Sequence, residues 1–395
     1  MLIAYGGRNC WCFKDWMAID MRVGKKASAD ISFPDERIVP AMCFEGANAS
    51  GKTCGLQVLS FIYDFCLNSF QYPTNSPIQY DTYFHNEEKS EFYITFSILG
   101  KSNIEYTYEL ELDKCKVYSE KLTENTGRRR KILLRRKDNQ IVRNELCPLP
   151  NGIIYKDTAS FISTLIQYGV EDIKPFKDFF SNVNSNVLTR DNLMTDCVAQ
   201  YYYHHPELHK RVVRQLQEWD TGIIDVKIMA TPDIQGRPIY TSLFSHKVGD
   251  ETKQLDFSSQ SNGTKLLYNR LKDFFIALDT GGVLIFDEID THLHSELVPC
   301  LLDYFLSPDT NLKRAQIIFT SHSTSILDRL TKYRVYLFKK LSGESICYRI
   351  DELPSNSLLR NNRSLAYEAR SPSALALGSS QIATADLRLL TANRD

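Results

Sequence analysis

The chain has 395 residues, enough for one large or two ordinary domains with a sizeable buried core. Hydrophobic residues make up 43% and Tyr and Phe number 21 each, so the composition argues against disorder over most of the length. The net charge of -1 excludes a global field that would draw the whole molecule to nucleic acid or to a membrane, so any such contact must come from a local patch.

The absence of a recognisable targeting segment and the pattern of the cysteines predict a cytoplasmic protein. No apolar run approaches the roughly 18 residues that a membrane helix needs, and the N-terminus lacks the basic and apolar regions of a signal peptide. The ten cysteines are scattered, often in apolar patterns, which is typical of reduced core thiols. The close pair Cys10 and Cys12 has no second pair or histidine beside it, which favours core or surface thiols over a zinc or redox site.

The first third of the chain predicts mainly strands. Residues 1–46 hold three apolar or alternating runs separated by turn residues, and the apolar periodicity of 54–67 then predicts a helix. Residues 91–98 and 104–112 alternate with period two around the turn 100–103, which predicts a β-hairpin. Strand-like segments continue to about residue 155.

The rest of the chain alternates between helices and strands. Residues 158–219 have a helical pattern and 222–256 return to strands. Apolar strands that alternate with helices are typical of a parallel sheet covered on both faces. The last segment, 366–395, holds one aromatic residue and predicts a loosely packed tail. The other predicted elements are a helix at 262–278, a strand at 283–286, a helix at 294–306, a strand at 316–320 and two strands near 334–350.

Residues 46–53 follow the pattern G-x-x-x-x-G-K-[ST], between an apolar strand and an amphipathic helix. A chain that wraps a phosphate with its backbone N–H groups needs glycine where a Cβ would clash, and the next helix directs its N-terminal dipole at the same anion. The lysine supplies charge to the β and γ phosphates of ATP, and the threonine hydroxyl becomes a Mg²⁺ ligand. The predicted nucleotide-binding residues are Gly46, Ala47, Asn48, Ala49, Ser50, Gly51, Lys52 and Thr53.

Two acids, Asp287 and Glu288, follow the apolar run 283–286. Ligands of an α/β sheet bind at the edge where such strands end. We predict that Asp287 holds Mg²⁺ through its water shell, and that Glu288 orients and deprotonates the attacking water. Acids after a strand are often only solvated turn residues, but the upstream phosphate loop favours the catalytic interpretation.

Two further motifs complete the predicted site. His322 follows the next apolar strand, where an imidazole can reach a γ phosphate. Ser261 and Gly263 open the predicted helix at 262–278, and a serine and glycine at a helix N-terminus can bind an anion. By itself Ser261 would most often be an ordinary helix cap. In order with the other motifs, the residues Ser261, Asn262, Gly263 and Thr264 are interpreted as a nucleotide-contacting signature.

Residues 128–137 hold seven cations in ten positions. This basic run, Arg128 to Lys137, could track a phosphate backbone. The alternative is a solvated strand pair whose cations balance acids elsewhere, since the net charge is near zero. Aromatic residues are not interleaved with the cations, which weakens the interpretation as a single-strand binder.

The order of phosphate loop, Ser-x-Gly helix, Asp-Glu pair and histidine resembles the ABC ATPases of the SMC, RecF and OLD group. More narrowly, it looks like the small AAA-type ATPases of abortive-infection and other anti-phage systems, over residues 1–365. The Asp-Thr-Gly-Ile stretch at 220–223 adds to this resemblance. Three features differ from the family pattern. Near His294 the aspartate of SMC-type proteins is replaced, and Gln79 is the residue at a plausible distance for the Q-loop glutamine of ABC ATPases. The glycine-rich segment expected in this family is not recognisable after Arg370.

The resemblance implies an α/β, ABC-type P-loop nucleotide-binding domain with a β-rich and helical insertion. We expect the core to comprise 1–69 and 222–365 and the insertion 70–221. The implied protein is an ATPase with ATP and Mg²⁺ as ligands. Two copies would close around ATP, with the signature of one capping the γ phosphate held by the other.

The resemblance also implies a switch subunit of a bacterial anti-phage defence system that controls a separate effector, such as a nuclease or other toxin. Two alternatives remain open at this point. One is a RecF-like or SMC-like repair ATPase that clamps DNA, and the other is a scaffold that binds ATP with little turnover.

Overall fold

The computed structural model describes residues 1–74, 76–98, 100, 103–138, 140–149, 151–187, 195–219, 222–292 and 297–353. His294, the first two residues of 220–223 and the predicted tail lie outside these ranges. The strands are β1 (Leu2–Arg8), β2 (Met17–Asp20), β3 (Ala41–Gly46), β4 (Ser90–Ser97), β5 (Glu105–Leu112), β6 (Val117–Asn125), β7 (Arg130–Lys137), β8 (Gln140–Asn144), β9 (Val183–Ser185), β10 (Ile223–Pro232), β11 (Pro238–Val248), β12 (Glu251–Asp256), β13 (Val283–Phe286), β14 (Gln316–Thr320), β15 (Val335–Leu341) and β16 (Glu344–Arg349). The α-helices are α1 (Lys52–Asn68), α2 (Phe161–Gln167), α3 (Lys174–Ser181), α4 (Thr195–His204), α5 (Pro206–Trp219), α6 (Asn262–Thr280), α7 (Ile289–His292), α8 (Leu297–Leu306) and α9 (Thr324–Arg329).

A parallel sheet with the order β16-β15-β3-β14-β13-β9 carries the predicted motifs. Its strands pair in parallel except β16, which runs antiparallel to β15. Successive side chains of a strand point to opposite faces. Met42 and Phe44 therefore join the hydrophobic cluster that contains α1, whereas Ala41 and Cys43 join the cluster that contains α6 and α8. The predicted α/β fold with a doubly covered parallel sheet is confirmed.

An antiparallel sheet with the order β2-β1-β4-β5-β6-β7-β8 lies beside the parallel one. The predicted hairpin is confirmed, since β4 pairs with β5 from Ser90 opposite Leu112 to Ser97 opposite Glu105. The buried side chain of Gln316 links the two sheets, because its Oε1 accepts from Leu2 N at 2.7 Å and its Nε2 donates to Leu2 O at 2.9 Å.

The expected division into a core and an insertion stays a prediction, and the sheets show how the strands of the predicted insertion pair. Strands β4 to β8 continue the sheet that begins with β1 and β2, and β9 pairs with β13 inside the parallel sheet. The segment 70–221 is therefore built into both sheets. A third, antiparallel sheet, β10-β11-β12, precedes α6. No helix of the described residues is both long enough and apolar enough to cross a membrane.

A buried ion pair joins β6 to β7 in the antiparallel sheet and includes one cation of the basic run. Arg136 is 1% and Glu120 0% exposed, and their closest atoms are 3.6 Å apart. The guanidinium also donates to the carbonyls of Ala159 and Asp138. Burial raises the pKa of the Glu120 carboxyl, and the charge of Arg136 opposes this shift.

We expect Arg136→Met to lower the free energy of unfolding by about 3–5 kcal/mol, because it leaves Glu120 buried without its charged partner. Urea unfolding followed by circular dichroism measures this loss. Arg135→Met is the matched control, since Arg135 is the exposed neighbour on the same strand and should change stability by less than about 0.5 kcal/mol. Equal losses in the two variants would contradict a stabilising role for the buried pair.

Candidate active site

The phosphate loop connects β3 to α1 at the C-terminal edge of the parallel sheet. Gly46 has φ +154° and Gly51 has φ +108°, conformations that side-chain-bearing residues rarely adopt. A Cβ on Gly46 would lie 2.2 Å from the carbonyl oxygen of Phe338, and one on Gly51 would lie 2.8 Å from the sulfur of Cys12. Both positions therefore require glycine for steric as well as torsional reasons.

Polar groups inside this loop fit an anion. The Lys52 ammonium is buried and donates to the carbonyls of Gly46 at 2.8 Å and Ala47 at 3.1 Å. The hydroxyl of Ser50 is buried, and no hydrogen-bond partner for it occurs in the described part of the chain. A buried ammonium and a buried hydroxyl at the start of a helix are the groups that bind a phosphate in such loops.

The predicted metal ligands lie together. Asp287 follows β13, and its Oδ2 accepts a 2.8 Å hydrogen bond from the hydroxyl of Thr53 in the first turn of α1. Within the described ranges no group of three His, Cys, Asp or Glu could hold a metal by itself. Two oxygen ligands suit Mg²⁺, which keeps several waters and takes phosphate oxygens in addition to one or two protein ligands.

The predicted base and histidine face each other beyond the metal ligands. Glu288 Oε1 lies 3.9 Å from His322 Nε2, and the two side chains are 48% and 36% exposed. Glu288 has φ +51°, which is uncommon for a residue other than glycine and is often found at functional sites. A half-exposed carboxylate next to the phosphate loop is accessible to a water molecule.

Three residues that sequence reasoning missed hold this arrangement in place. Asn186, just after β9, accepts from Asp287 N at 2.7 Å and donates to Asp287 O at 3.1 Å. Thr320, the last residue of β14, donates to Asp287 Oδ1 at 2.6 Å and accepts from Glu288 N at 2.7 Å. Asp290 accepts from the backbone N–H of His322 at 2.7 Å. A polar residue that ends an apolar strand was a usable signal for Thr320.

Gln79 is not placed at the site. Its amide donates to the Pro77 carbonyl at 2.8 Å, and it lies beside Asp64 and Phe65 in the second half of α1. Asp64 is three turns beyond Lys52, roughly 18 Å along the helix. The residues that reach Asp287 from neighbouring strands are Thr320, at its carboxylate, and Asn186, at its backbone.

Ser261 caps α6, as the simpler interpretation of this motif predicted. Its hydroxyl accepts from Thr264 N at 3.1 Å, while Asn262 and Gly263 lie exposed at the same helix end. The body of α6 packs on the strand that carries the acids, with the rings of Phe274 and Phe286 5.8 Å apart. The signature is thus presented at the surface by a helix that contacts β13.

The parallel sheet with its phosphate loop and acid pair defines an α/β P-loop fold like that of an SMC head domain. The crystal structure of the SmcHead bound to the C-winged helix domain of ScpA is similar, with a TM-score of 0.50 and 11% identity, over 89% of this chain and 99% of that chain. This likeness confirms the predicted fold class.

The family described as "AAA domain, putative AbiEii toxin, Type IV TA system" matches residues 42–328, well over half of the sequence, and the chain belongs to that family. The predicted resemblance is therefore confirmed. The SMC head domain from Thermotoga maritima is also similar, at 12% identity over 88% of this chain and 98% of that chain, with a TM-score of 0.45. The recombination mediator protein RecF with ATP is 13% identical over 88% and 97%, with a TM-score of 0.36. None of the curated protein sequences matches.

Proposed function

We propose that this chain binds Mg²⁺-ATP at the phosphate loop and hydrolyses it. The observation that carries the proposal is the convergence at one sheet edge of the loop, the Thr53–Asp287 pair and the Glu288–His322 pair. Family membership supports it, since the family is one of AAA domains. Separate parts of the chain meet there, and each supplies a group that phosphoryl transfer requires.

Each side chain has a role that follows from its position. Lys52 exchanges its bonds to the loop carbonyls for bonds to the β and γ phosphates. Thr53 and Asp287 would hold Mg²⁺, which supplies positive charge to the phosphate oxygens. Glu288 would orient and deprotonate the attacking water, and His322, which lies 3.9 Å from it, would contact the γ phosphate.

A second copy of the chain completes each site in this proposal. Ser261, Asn262 and Gly263 are exposed at the N-terminus of the 19-residue helix α6, where backbone N–H groups and the helix dipole favour an anion. A two-fold axis would place this end of one copy on the nucleotide held by the other and would form two equivalent sites.

The metal dependence of turnover tests the proposed chemistry. We expect ATP hydrolysis that stops when EDTA removes Mg²⁺. We also expect Asn186→Leu to raise the Mg²⁺ concentration for half-maximal turnover about tenfold, because Asp287 loses the amide that orients it. Asn182→Ala is the control, since its side chain bonds the Thr280 carbonyl instead. Turnover that is insensitive to EDTA, or an Asn186→Leu variant with the wild-type requirement, would contradict the proposed site.

The finer proposal is that nucleotide closure switches a separate partner. A γ phosphate that bridges two copies makes a two-state element, and its hydrolysis releases them. A partner that prefers one state is then held or freed through differential affinity. The resemblance to abortive-infection ATPases suggests a bacterial anti-phage system in which the partner is a nuclease or other effector. The matching family is described as a putative toxin, so toxicity of the chain alone is the contrasting outcome.

Three exposed arginines are the strongest candidates for partner contact. Arg128, Arg129 and Arg130 lie at the turn between β6 and β7 and are exposed. Two other cations of the run are paired with acids, since Arg136 contacts Glu120 and Lys131 contacts Glu145 at 3.1 Å. Arg136 and Lys131 therefore fit the interpretation in which the cations balance acids of the protein. Arg128, Arg129 and Arg130, at the turn, are the part of the basic run that suits an anionic partner.

Charge reversal of Arg128, Arg129 and Arg130 to glutamate should weaken binding of the partner or of nucleic acid, while basal ATP turnover changes by no more than a few fold. Affinity purification with the neighbouring gene product and gel-shift assays with DNA measure the two kinds of partner. Lys25→Glu with Lys26→Glu is the control, since both lysines are exposed outside the basic run.

Expression of the chain alone should be harmless, and a toxic effect should require the neighbouring gene product. Loss of DNA binding alone would favour the DNA-clamp alternative. Toxicity of the chain alone that survives mutation of Asp287 and Glu288 would contradict the switch proposal.

A further inference from the structure

A hollow of about 270 Å³ lies on the outer face of the antiparallel sheet, at β6 and β7. The side chain of Arg136 is buried, so its neighbours on β7, Arg135 and Lys137, point to the opposite face, where both are exposed. Ser119 on β6 lies directly opposite Lys137 and lines the hollow beside it. None of the described residues that line the hollow belongs to the phosphate loop, so the hollow is separate from the candidate active site.

The two acids that line the hollow are paired with lysines. Glu111 accepts from the Lys89 ammonium at 2.9 Å, and Asp138 accepts from the Lys116 ammonium at 3.2 Å. The same ammonium groups lie over the ring of Tyr118, at 3.8 and 4.4 Å from its centroid. These contacts hold the two lysines at the hollow. Within each ion pair the charges cancel, so the acids do not neutralise any further cation.

The other two cations of the hollow are not neutralised. The side chains of Arg135 and Lys137 form no ion pair and no hydrogen bond with any of the described residues. Arg143, the cross-strand neighbour of Arg135, is instead paired with Glu145. The hollow therefore carries two uncompensated positive charges beside the hydroxyl of Ser119. A phosphate monoester such as that of phosphoserine carries about −1.5 to −2 charges at pH 7, which matches them.

We propose that this hollow binds the phosphate group of a small phosphorylated ligand, at a site distinct from the proposed ATP site. The Arg135 guanidinium donates two parallel hydrogen bonds to phosphate oxygens, and Lys137 supplies a point charge. The hydroxyl of Ser119 donates a further hydrogen bond. The volume lies just below the roughly 300–1,000 Å³ of small-molecule sites, and a nucleic-acid backbone brings only one charge per phosphate. Both features favour a small phosphate monoester.

Site-resolved lysine acetylation of the full chain tests the proposal, with inorganic phosphate compared against sodium chloride at the same ionic strength. Mass spectrometry should show that phosphate, at ten times its dissociation constant, slows acetylation of Lys137 about tenfold. Lys121 is the matched control, since it lies on the same face of the sheet and is paired with Glu109. Its acetylation should change by less than about twofold, because general screening by salt is the same in both solutions.

Replacement of the guanidinium tests the proposed contact. Arg135→Gln should raise the phosphate concentration for half-maximal protection of Lys137 about tenfold, because the anion loses its charge-assisted hydrogen bonds. Arg143→Gln is the control, since it removes a neighbouring guanidinium that is already paired with Glu145, and it should match the wild type.

Three outcomes would overturn the proposal. They are equal slowing at Lys121 and Lys137, an Arg135→Gln variant that is protected as well as the wild type, and protection of Lys137 by duplex DNA but not by inorganic phosphate. The last outcome would show that the hollow binds a nucleic-acid backbone. Neither ATP binding nor hydrolysis enters these measurements, so the proposed phosphate site and the proposed function can fail independently.

Discussion

Replacement of Glu288 by glutamine is expected to leave ATP bound while slowing its hydrolysis by about 10²-fold or more. A positioned base typically contributes about 10²–10⁴ in rate, and the amide keeps the shape of the side chain but cannot take a proton. The half-exposed carboxylate beside His322 is the group in position to act on water. Phosphate release under single-turnover conditions measures the chemical step apart from binding.

Lys52→Ala should instead abolish ATP binding, because the β and γ phosphates lose their principal cation. The two variants therefore separate binding from chemistry in a titration with a fluorescent ATP analogue. Glu87→Gln and Lys25→Ala alter exposed residues away from the loop and should match the wild type. A Glu288→Gln protein that hydrolyses ATP at the wild-type rate would show that another group is the base.

The site residues that could be predicted from sequence are those whose role is visible in a short stretch of the chain. Gly46 and Gly51 have backbone angles and close contacts that other residue types do not tolerate, so their spacing is visible in the sequence. Asp287 and Glu288 follow a four-residue apolar strand, and His322 follows another one. In each case polar residues that directly follow an apolar strand predict a site, because a parallel sheet brings the ends of its strands to one edge.

Asn186 was missed because its position depends on the pairing of strands that are far apart in the sequence. Strand β9 is three residues long, Val183-Asn184-Ser185, and lacks an apolar run, so it is defined only by its pairing with β13 about 100 residues later in the chain. Asn186 could not be placed without that pairing. The pairing of β1 with β4 joins residues on the two sides of the phosphate loop.

Mixing two inactive variants should restore activity if the sites are shared between copies. Ser261→Arg should disable the signature, because a large cation replaces the capping hydroxyl at the exposed end of α6. Lys52→Ala disables the phosphate loop. In a head-to-tail pair that contains one chain of each kind, both lesions fall in the same site, and the other site keeps an intact Lys52 and an intact Ser261.

Random pairing in an equal mixture makes half of the dimers mixed, each with one of its two sites intact. The mixture should therefore recover about a quarter of wild-type turnover if the sites act independently, while each variant alone stays near background. Steady-state phosphate release, with light scattering to follow dimerisation, measures both quantities. Lys52→Ala mixed with Glu288→Gln is the matched control for geometry: these two lesions lie on the same side of the site, so they fall in different sites of the mixed dimer and neither site should recover. Full turnover by a chain that light scattering shows to be monomeric would contradict shared sites, because Ser261 of a second copy would then be dispensable.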